Sequence, residues 1–102
     1  MEKPYSLDYI RRVLAEYFAD KPVRRIQVFG SYARGEATAE SDLDLLVEME
    51  RPVGWEYFGY ADDLSQRLGI PVDLGSSVSD YMFRYISKDL KTLYESEQTT
   101  AA

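Results

Sequence analysis

The sequence contains no cysteine and no histidine. Without cysteine there is no disulfide framework, thiolate nucleophile, iron–sulfur cluster or cysteine-bound zinc. Without histidine there is no Ser-His-Asp triad, no imidazole general base and no imidazole metal ligand. No apolar run approaches the ~20 residues of a membrane span, and no basic-then-apolar signal pattern opens the chain. A cytoplasmic protein without membrane contact is therefore expected. No repeat, linker or low-complexity segment stands out either. Chemistry falls to carboxylates, hydroxyls, Lys, Arg and backbone amides, and of these the carboxylates favour hard cations such as Mg²⁺.

What is present fits one domain. The chain has 102 residues, 45% hydrophobic and 29% charged, which is an ordinary globular balance. Residues 1–97 are expected to form that domain and 98–102 a frayed tail. Eighteen Asp plus Glu against twelve Lys plus Arg leave a net charge of −6. Phosphate contacts by basic side chains dominate non-specific nucleic-acid affinity, so direct nucleic-acid binding is not expected. An acidic chain better suits a small anionic ligand held through metal ions, or a basic protein partner.

Hydrophobic spacing predicts a helix over 6–20, with Ser6 as N-cap and Leu7, Ile10, Val13, Leu14, Tyr17 and Phe18 on its apolar face. Pro22 closes it. Arg25 to Phe29 reads as a strand, broken at Gly30-Ser31, with a short helical turn over 32–35. Asp42 to Met49 is a second strand with Leu43, Leu45 and Val47 on one face. A second amphipathic helix follows over 55–68 on Trp55, Phe58, Ala61, Leu64 and Leu68, stopped by Gly69. Pro71 to Leu74 predicts a short strand, central in the sheet because Val72 and Leu74 are apolar. A third long helix is expected from Ser79-Asp80 to about Asp89, and Lys91 to Glu95 as a closing edge strand. The fold class is α/β, a small mixed β-sheet flanked by helices.

One stretch carries chemistry: Gly30-Ser31-Tyr32-Ala33-Arg34-Gly35, five residues, then Ser41-Asp42-Leu43-Asp44-Leu45-Leu46-Val47. Side chains two apart on a strand project from one face, so Asp42 and Asp44 present their carboxylates side by side. Two like charges that close are costly unless a cation lies between them, which makes the pair a bed for one or two Mg²⁺ ions. Gly30 ends the preceding strand where a bulky side chain would obstruct a ligand. Ser31 adds a hydroxyl, and the turn after it turns backbone N–H groups outward, an anion site suited to a triphosphate. Metal carboxylates facing a phosphate cradle form the layout of metal-assisted nucleotidyl transfer.

This spaced string resembles the signature of the polymerase-beta-like nucleotidyltransferase superfamily, and length and flanking pattern resemble its minimal nucleotidyltransferases. The string spans residues 30–47, and the element order extends the resemblance to most of the domain. The resemblance implies a nucleotidyltransferase core, ATP as substrate, two Mg²⁺ ions, and a cognate HEPN toxin as partner in a hetero-oligomer. It implies AMP transfer to a hydroxyl, a tyrosine of that toxin, with the chain acting as antitoxin. It further implies a third acidic residue on a later strand. Asp73 is the candidate there, completing the metal site with Asp42 and Asp44 and activating the attacking hydroxyl. Gly30, Ser31 and Arg34 become the nucleotide contacts. No counterpart is expected here for the domains with which larger relatives grip tRNA, poly(A) or antibiotics.

Blander readings stand beside these. Asp42 and Asp44 could be a turn aspartate and a solvated strand carboxylate, but their distance from Gly30-Ser31 favours metal. Asp73 could pair with an arginine such as Arg25. Arg34 could brace its loop by pairing with a carboxylate, the preferred reading, or bind phosphate. Glu48, Glu50 and Asp62-Asp63 read as solvated faces. The nine tyrosines suit an interface as well as a core, with Trp55, Tyr57 and Tyr60 as candidates for contact with a protein partner. The rival functions are a binding-only antitoxin on the same scaffold, and nucleotidyl transfer to a small molecule.

Overall fold

A computed structural model describes residues 2–76 and 80–96. The chain runs α1 (Leu7–Tyr17), β1 (Val23–Phe29), α2 (Ser31–Arg34), β2 (Leu43–Met49), α3 (Glu56–Leu68), β3 (Val72–Gly75), α4 (Asp80–Ile86), a 3₁₀ turn (Ser87–Asp89) and β4 (Lys91–Glu95). The four strands form one sheet in the order β3-β2-β1-β4. β1 is antiparallel to both β2 and β4, whereas β3 runs parallel to β2. The expected small mixed sheet flanked by helices is the observed architecture. Ser79 and the 98–102 tail lie outside the described residues.

α1 begins as the sequence indicates, with the Ser6 hydroxyl accepting the Tyr9 N–H at 3.1 Å. It stops at Tyr17, earlier than the spacing predicts, and Phe18 caps it. α3 ends where Gly69 enters the left-handed region at φ 71° and returns its N–H to the Ser65 carbonyl at 2.7 Å. Two more of its terminal carbonyls are served by the N-terminal arm. Lys3 Nζ donates to Gly69 O at 2.6 Å and the Tyr5 hydroxyl to Leu68 O at 2.5 Å. This clamp fixes the chain immediately before β3.

One face of the sheet packs the core. Leu43, Leu45 and Val47 of β2 and Ile26 and Val28 of β1 are buried against Ile10, Leu14 and Phe18 and against Tyr60, Leu64 and Leu68 of α3. In β1 the register shifts between Val23 and Arg25, which lets Val23 and Ile26, three apart, both face inward. By alternation, Gln27, Phe29, Asp44 and Leu46 point to the other face. Phe83 of α4 lines a cavity on that side with Gln27, Leu46 and Glu48.

Two expectations are corrected. β3 is an edge strand, not a central one: it pairs with β2 alone, and Val72 and Leu74 are only half-buried. Their apolar character comes from packing beside the core, not from neighbours on both sides. The apolar face of α3 is also rotated. Trp55 is 87% exposed and Phe58 71% exposed, while Tyr60, read above as an interface residue, is buried. Trp55 sits just before the first residue of α3, where among the described residues its ring meets that of Phe58 and is otherwise open.

Phe18 is fully buried and meets Tyr17, Tyr60 and Tyr94 ring to ring. Phe18→Ala is expected to cost about 3–5 kcal/mol in urea unfolding, and Trp55→Ala less than about 0.5 kcal/mol. Similar losses in the two variants would contradict this assignment of core and surface.

Candidate active site

The C-terminal end of β1 and the N-terminal ends of β2 and β3 meet at one end of the sheet. In the parallel β2–β3 ladder, Asp44 stands directly opposite Asp73. Adjacent strands lie about 4.8 Å apart, so the two carboxylates share one small region. The Leu43 N–H donates to Pro71 O at 2.9 Å, holding this register at the strand entrance. Asp42 lies one residue before β2 and is exposed. Two positions from Asp44, it shares that side of the chain.

On β1, Phe29 pairs with Asp44, and the chain then turns at Gly30. Gly30 has φ 78° and ψ −155°, a conformation essentially restricted to glycine. A Cβ built there would sit 2.6 Å from Asp44 Oδ2. The glycine therefore serves two needs at once: the backbone turn, and the room in which the Asp44 carboxylate lies. Ser31 opens α2 directly after it, and Gly35 closes α2 in the left-handed region at φ 75°. The loop from 36 to 42 is braced internally, with the Thr38 N–H donating to Ser41 Oγ at 2.8 Å.

Asp44 is partly enclosed, and burial pushes its carboxyl above the usual aspartate range. The like charge of Asp73, then that of Asp42, pushes it further, while the Arg34 guanidinium opposes the rise. The Asp44 carboxyl thus feels the charges of the other three side chains. Asp73 makes no ion pair among the described residues. The arginine suggested for it, Arg25, instead binds Glu48 at 2.7 Å. Arg34 is engaged on two sides, Nε to Glu36 Oε1 at 2.9 Å and Nη1 to Asp89 Oδ2 at 3.2 Å.

Some residues behave differently from the sequence reading. Asp63 is exposed, as read, and in addition accepts the Tyr17 hydroxyl at 2.6 Å. Burial, followed by this bond to Asp63, pushes the Tyr17 phenol well up. Glu48 is tied to Arg24 and Arg25. Glu50 keeps one carboxylate oxygen away from solvent without a hydrogen-bond partner among the described residues. Asp89 was not foreseen near Arg34, because nothing local in the sequence joins positions 55 residues apart.

Among the described residues no three Asp or Glu side chains converge tightly enough to enclose a cation by themselves. Mg²⁺, however, commonly takes one or two carboxylates and fills its octahedron with phosphate oxygens and water. A paired carboxylate set on two strands, mutually repelling and open to one side, fits an ion that arrives with a phosphate ligand. Paired carboxylates beside a glycine turn are an arrangement suited to phosphoryl or nucleotidyl chemistry.

Comparison with known proteins gives the class. The profile of the Nucleotidyltransferase domain matches residues 7–99, and the chain belongs to that family. A protein of Methanocaldococcus jannaschii, provisionally named a protein adenylyltransferase, is 42% identical over 84 residues, which are 78% of this chain and 83% of the relative. The protein adenylyltransferase MntA of Thermococcus cleftensis is 47% identical over 53 residues, 51% of this chain and 54% of that protein. Among solved structures, a mutant MntA–HpeT toxin–antitoxin complex contains a chain superposing with a TM-score of 0.66 at 25% identity, covering 92% of this chain and 76% of that one. A toxin–antitoxin structure with AMP-PNP superposes at 0.68 with 24% identity, covering 92% and 77%, and supports the fold. The chain is a nucleotidyltransferase.

The raised affinity of Asp44 for its proton has a measurable consequence. A folded-state value above the unfolded one (about 3.9) means that the native state holds the proton more tightly. That stabilisation is full below the unfolded value and is lost as pH rises through the folded one. Asp44→Asn is therefore expected to unfold at higher urea than wild type at pH 7. Its advantage should shrink as the pH falls through the folded-state value of Asp44, below which the wild-type carboxyl is also neutral. Equal midpoints at pH 7, or an advantage that grows toward acid, would contradict the crowding of Asp44.

Proposed function

We propose that the chain transfers AMP from ATP to a protein hydroxyl, a tyrosine of a cognate HEPN toxin, and so acts as the antitoxin of that pair in a hetero-oligomer. The observation that carries the reading is the pairing of Asp44 with Asp73 across β2 and β3, beside the Gly30 turn. The partner reading is supported by the relatives named as protein adenylyltransferases and by the likeness to a chain in a toxin–antitoxin complex. Another solved likeness is to a tri-AMPylated Shewanella oneidensis HEPN toxin in complex with MNT antitoxin, at 21% identity, and it supports the fold. A cytoplasmic location is part of this proposal, since ATP and such a partner would be met there. The absence of a membrane-length apolar helix among the described residues is compatible with that location. The net charge of −6 disfavours nucleic acid as acceptor.

Mg²⁺, two ions by the family pattern, would be held by Asp42, Asp44 and Asp73 together with phosphate oxygens, and would screen charge building on the α-phosphoryl group. Gly30 leaves room for the triphosphate beside Asp44, and Ser31 and Arg34 supply donors to its oxygens. Asp73 stands on the edge strand, so an acceptor hydroxyl can approach it from outside the sheet. Its carboxylate draws the proton from that hydroxyl as the oxygen attacks the α-phosphorus. The bond from the α-phosphorus to the bridging oxygen breaks, pyrophosphate leaves, and a phosphodiester to the acceptor remains. Asp42 and Asp44 contribute in the ground state by binding Mg-ATP. Asp73 contributes mainly as charge moves in the transition state.

The test separates binding from chemistry. Asp73→Asn is expected to bind Mg-ATP and the partner with near-normal affinity and to slow transfer by at least about a hundredfold, the usual scale for a lost general base. Mass spectrometry of the partner after incubation with ATP and Mg²⁺ reads the added nucleotidyl mass. Normal labelling by the variant would make Asp73 a structural residue. A wild-type chain that protects cells from the toxin but never labels it would establish the binding-only antitoxin instead.

A further inference from the structure

An acidic chain that binds a polyanion must place a cation where the phosphates lie. Arg34 is the cation whose field reaches Asp44 and opposes the field of the other carboxylates there. It lies three residues after Ser31 on α2, and its side chain is 44% exposed. An arginine that open to solvent would normally sample many rotamers. Here two carboxylates hold it. Glu36 takes Nε, and Asp89 takes Nη1 at 3.2 Å. Glu36 is a local partner on the same loop. Asp89 comes from the 3₁₀ turn between α4 and β4, and its side chain is only 17% exposed. A guanidinium has five N–H donors in one rigid plane. Fixing Nε and Nη1 fixes the orientation of that plane and leaves the Nη2 edge without a protein partner among the described residues.

We propose that Asp89 is a positioning residue for nucleotide binding: from the turn before β4 it orients Arg34, so that the guanidinium's remaining N–H edge meets the triphosphate beside Gly30 and Ser31. The proposal rests on the nucleotidyltransferase reading of the same site and adds to it a residue outside the Gly-Ser and Asp-x-Asp string. It makes the bracing and phosphate-binding roles of Arg34 one role, since the brace aims the contact. It also ties the α4–β4 connection, distant from the motif in sequence, to the phosphate end of the site. Asp89 is largely enclosed but its partner Arg34 is open to solvent, so the pair adds little to folding, and the effect belongs in ligand binding and not in stability.

Calorimetric titration with ATP in the presence of Mg²⁺, and urea unfolding on the same samples, test this. Arg34→Ala is expected to weaken ATP binding about tenfold, the scale of one charge-assisted hydrogen bond. Asp89→Ala is expected to weaken it several-fold with an almost unchanged unfolding midpoint. Asp89→Asn, which keeps an acceptor oxygen for Nη1, restores most of the affinity. The decisive variant is Arg34→Ala combined with Asp89→Ala. If Asp89 acts through Arg34, the pair binds ATP no more weakly than Arg34→Ala alone. In transfer assays the Asp89→Ala loss should appear in KM for ATP, with kcat close to wild type. Unchanged affinity in Asp89→Ala overturns the proposal, as do additive losses in the double variant. Those results leave the nucleotidyltransferase reading standing. A wild-type chain that binds no Mg-ATP overturns both.

Discussion

The parallel pairing of β2 with β3 places Asp44 opposite Asp73, and much of the site follows from that like-charge contact. The like charge of Asp73 adds to burial in raising the affinity of Asp44 for a proton, and a cation would relieve the same repulsion. Folding alone supplies no reason to tolerate such a contact, since an apolar or neutral pair at that register would be more favourable. The fold tolerates it because the hydrophobic layer beneath is independent of it. Leu43 and Leu45 flank Asp44 in sequence, point to the opposite face, and are fully buried. The core is anchored on one face of β2 while the charged chemistry stands on the other.

The same strand ends explain why the surrounding residues are what they are. Gly30 is required both by its backbone angles and by the Asp44 oxygen that occupies the place of a side chain. The α3 terminus, clamped by Lys3 and Tyr5, sets the start of β3 and hence the height of Asp73 beside Asp44. Arg34, held between Glu36 and Asp89, is the counter-charge at the mouth of the site. Residues distant in sequence, at both ends of the chain, thus converge on a small acidic region.

Much of this was legible in the sequence. The Gly30-Ser31 break and the i, i+2 spacing of Asp42 and Asp44 follow from local periodicity. Asp73 was singled out by the family resemblance, and the structure sets Asp73 opposite Asp44 with Gly30 beside it. Edge or centre for β3 was not legible, because Val72 and Leu74 look the same whether a second strand or a neighbouring helix covers them. Trp55 and Phe58 were placed on the apolar face of the helix because helical spacing alone does not fix which side of α3 meets the core. Both are exposed, which for Trp55 agrees with its other reading as a partner contact. The Tyr17–Asp63 bond and the Arg34–Asp89 pair depend on tertiary packing between distant segments. Patterns over a few residues carry no trace of such contacts.

The central claim is that the crowded carboxylates are a site for a cation delivered with a nucleotide. It is tested most directly by calorimetric titration of Mg²⁺ together with a non-hydrolysable ATP analogue into wild type, Asp42→Asn and Asp44→Asn. The account predicts that wild type binds the analogue only with Mg²⁺ present, and that each substitution weakens this binding by at least about tenfold, the scale of one lost charge-assisted contact. Equal affinity in all three proteins, or binding of the analogue indifferent to Mg²⁺, would contradict it.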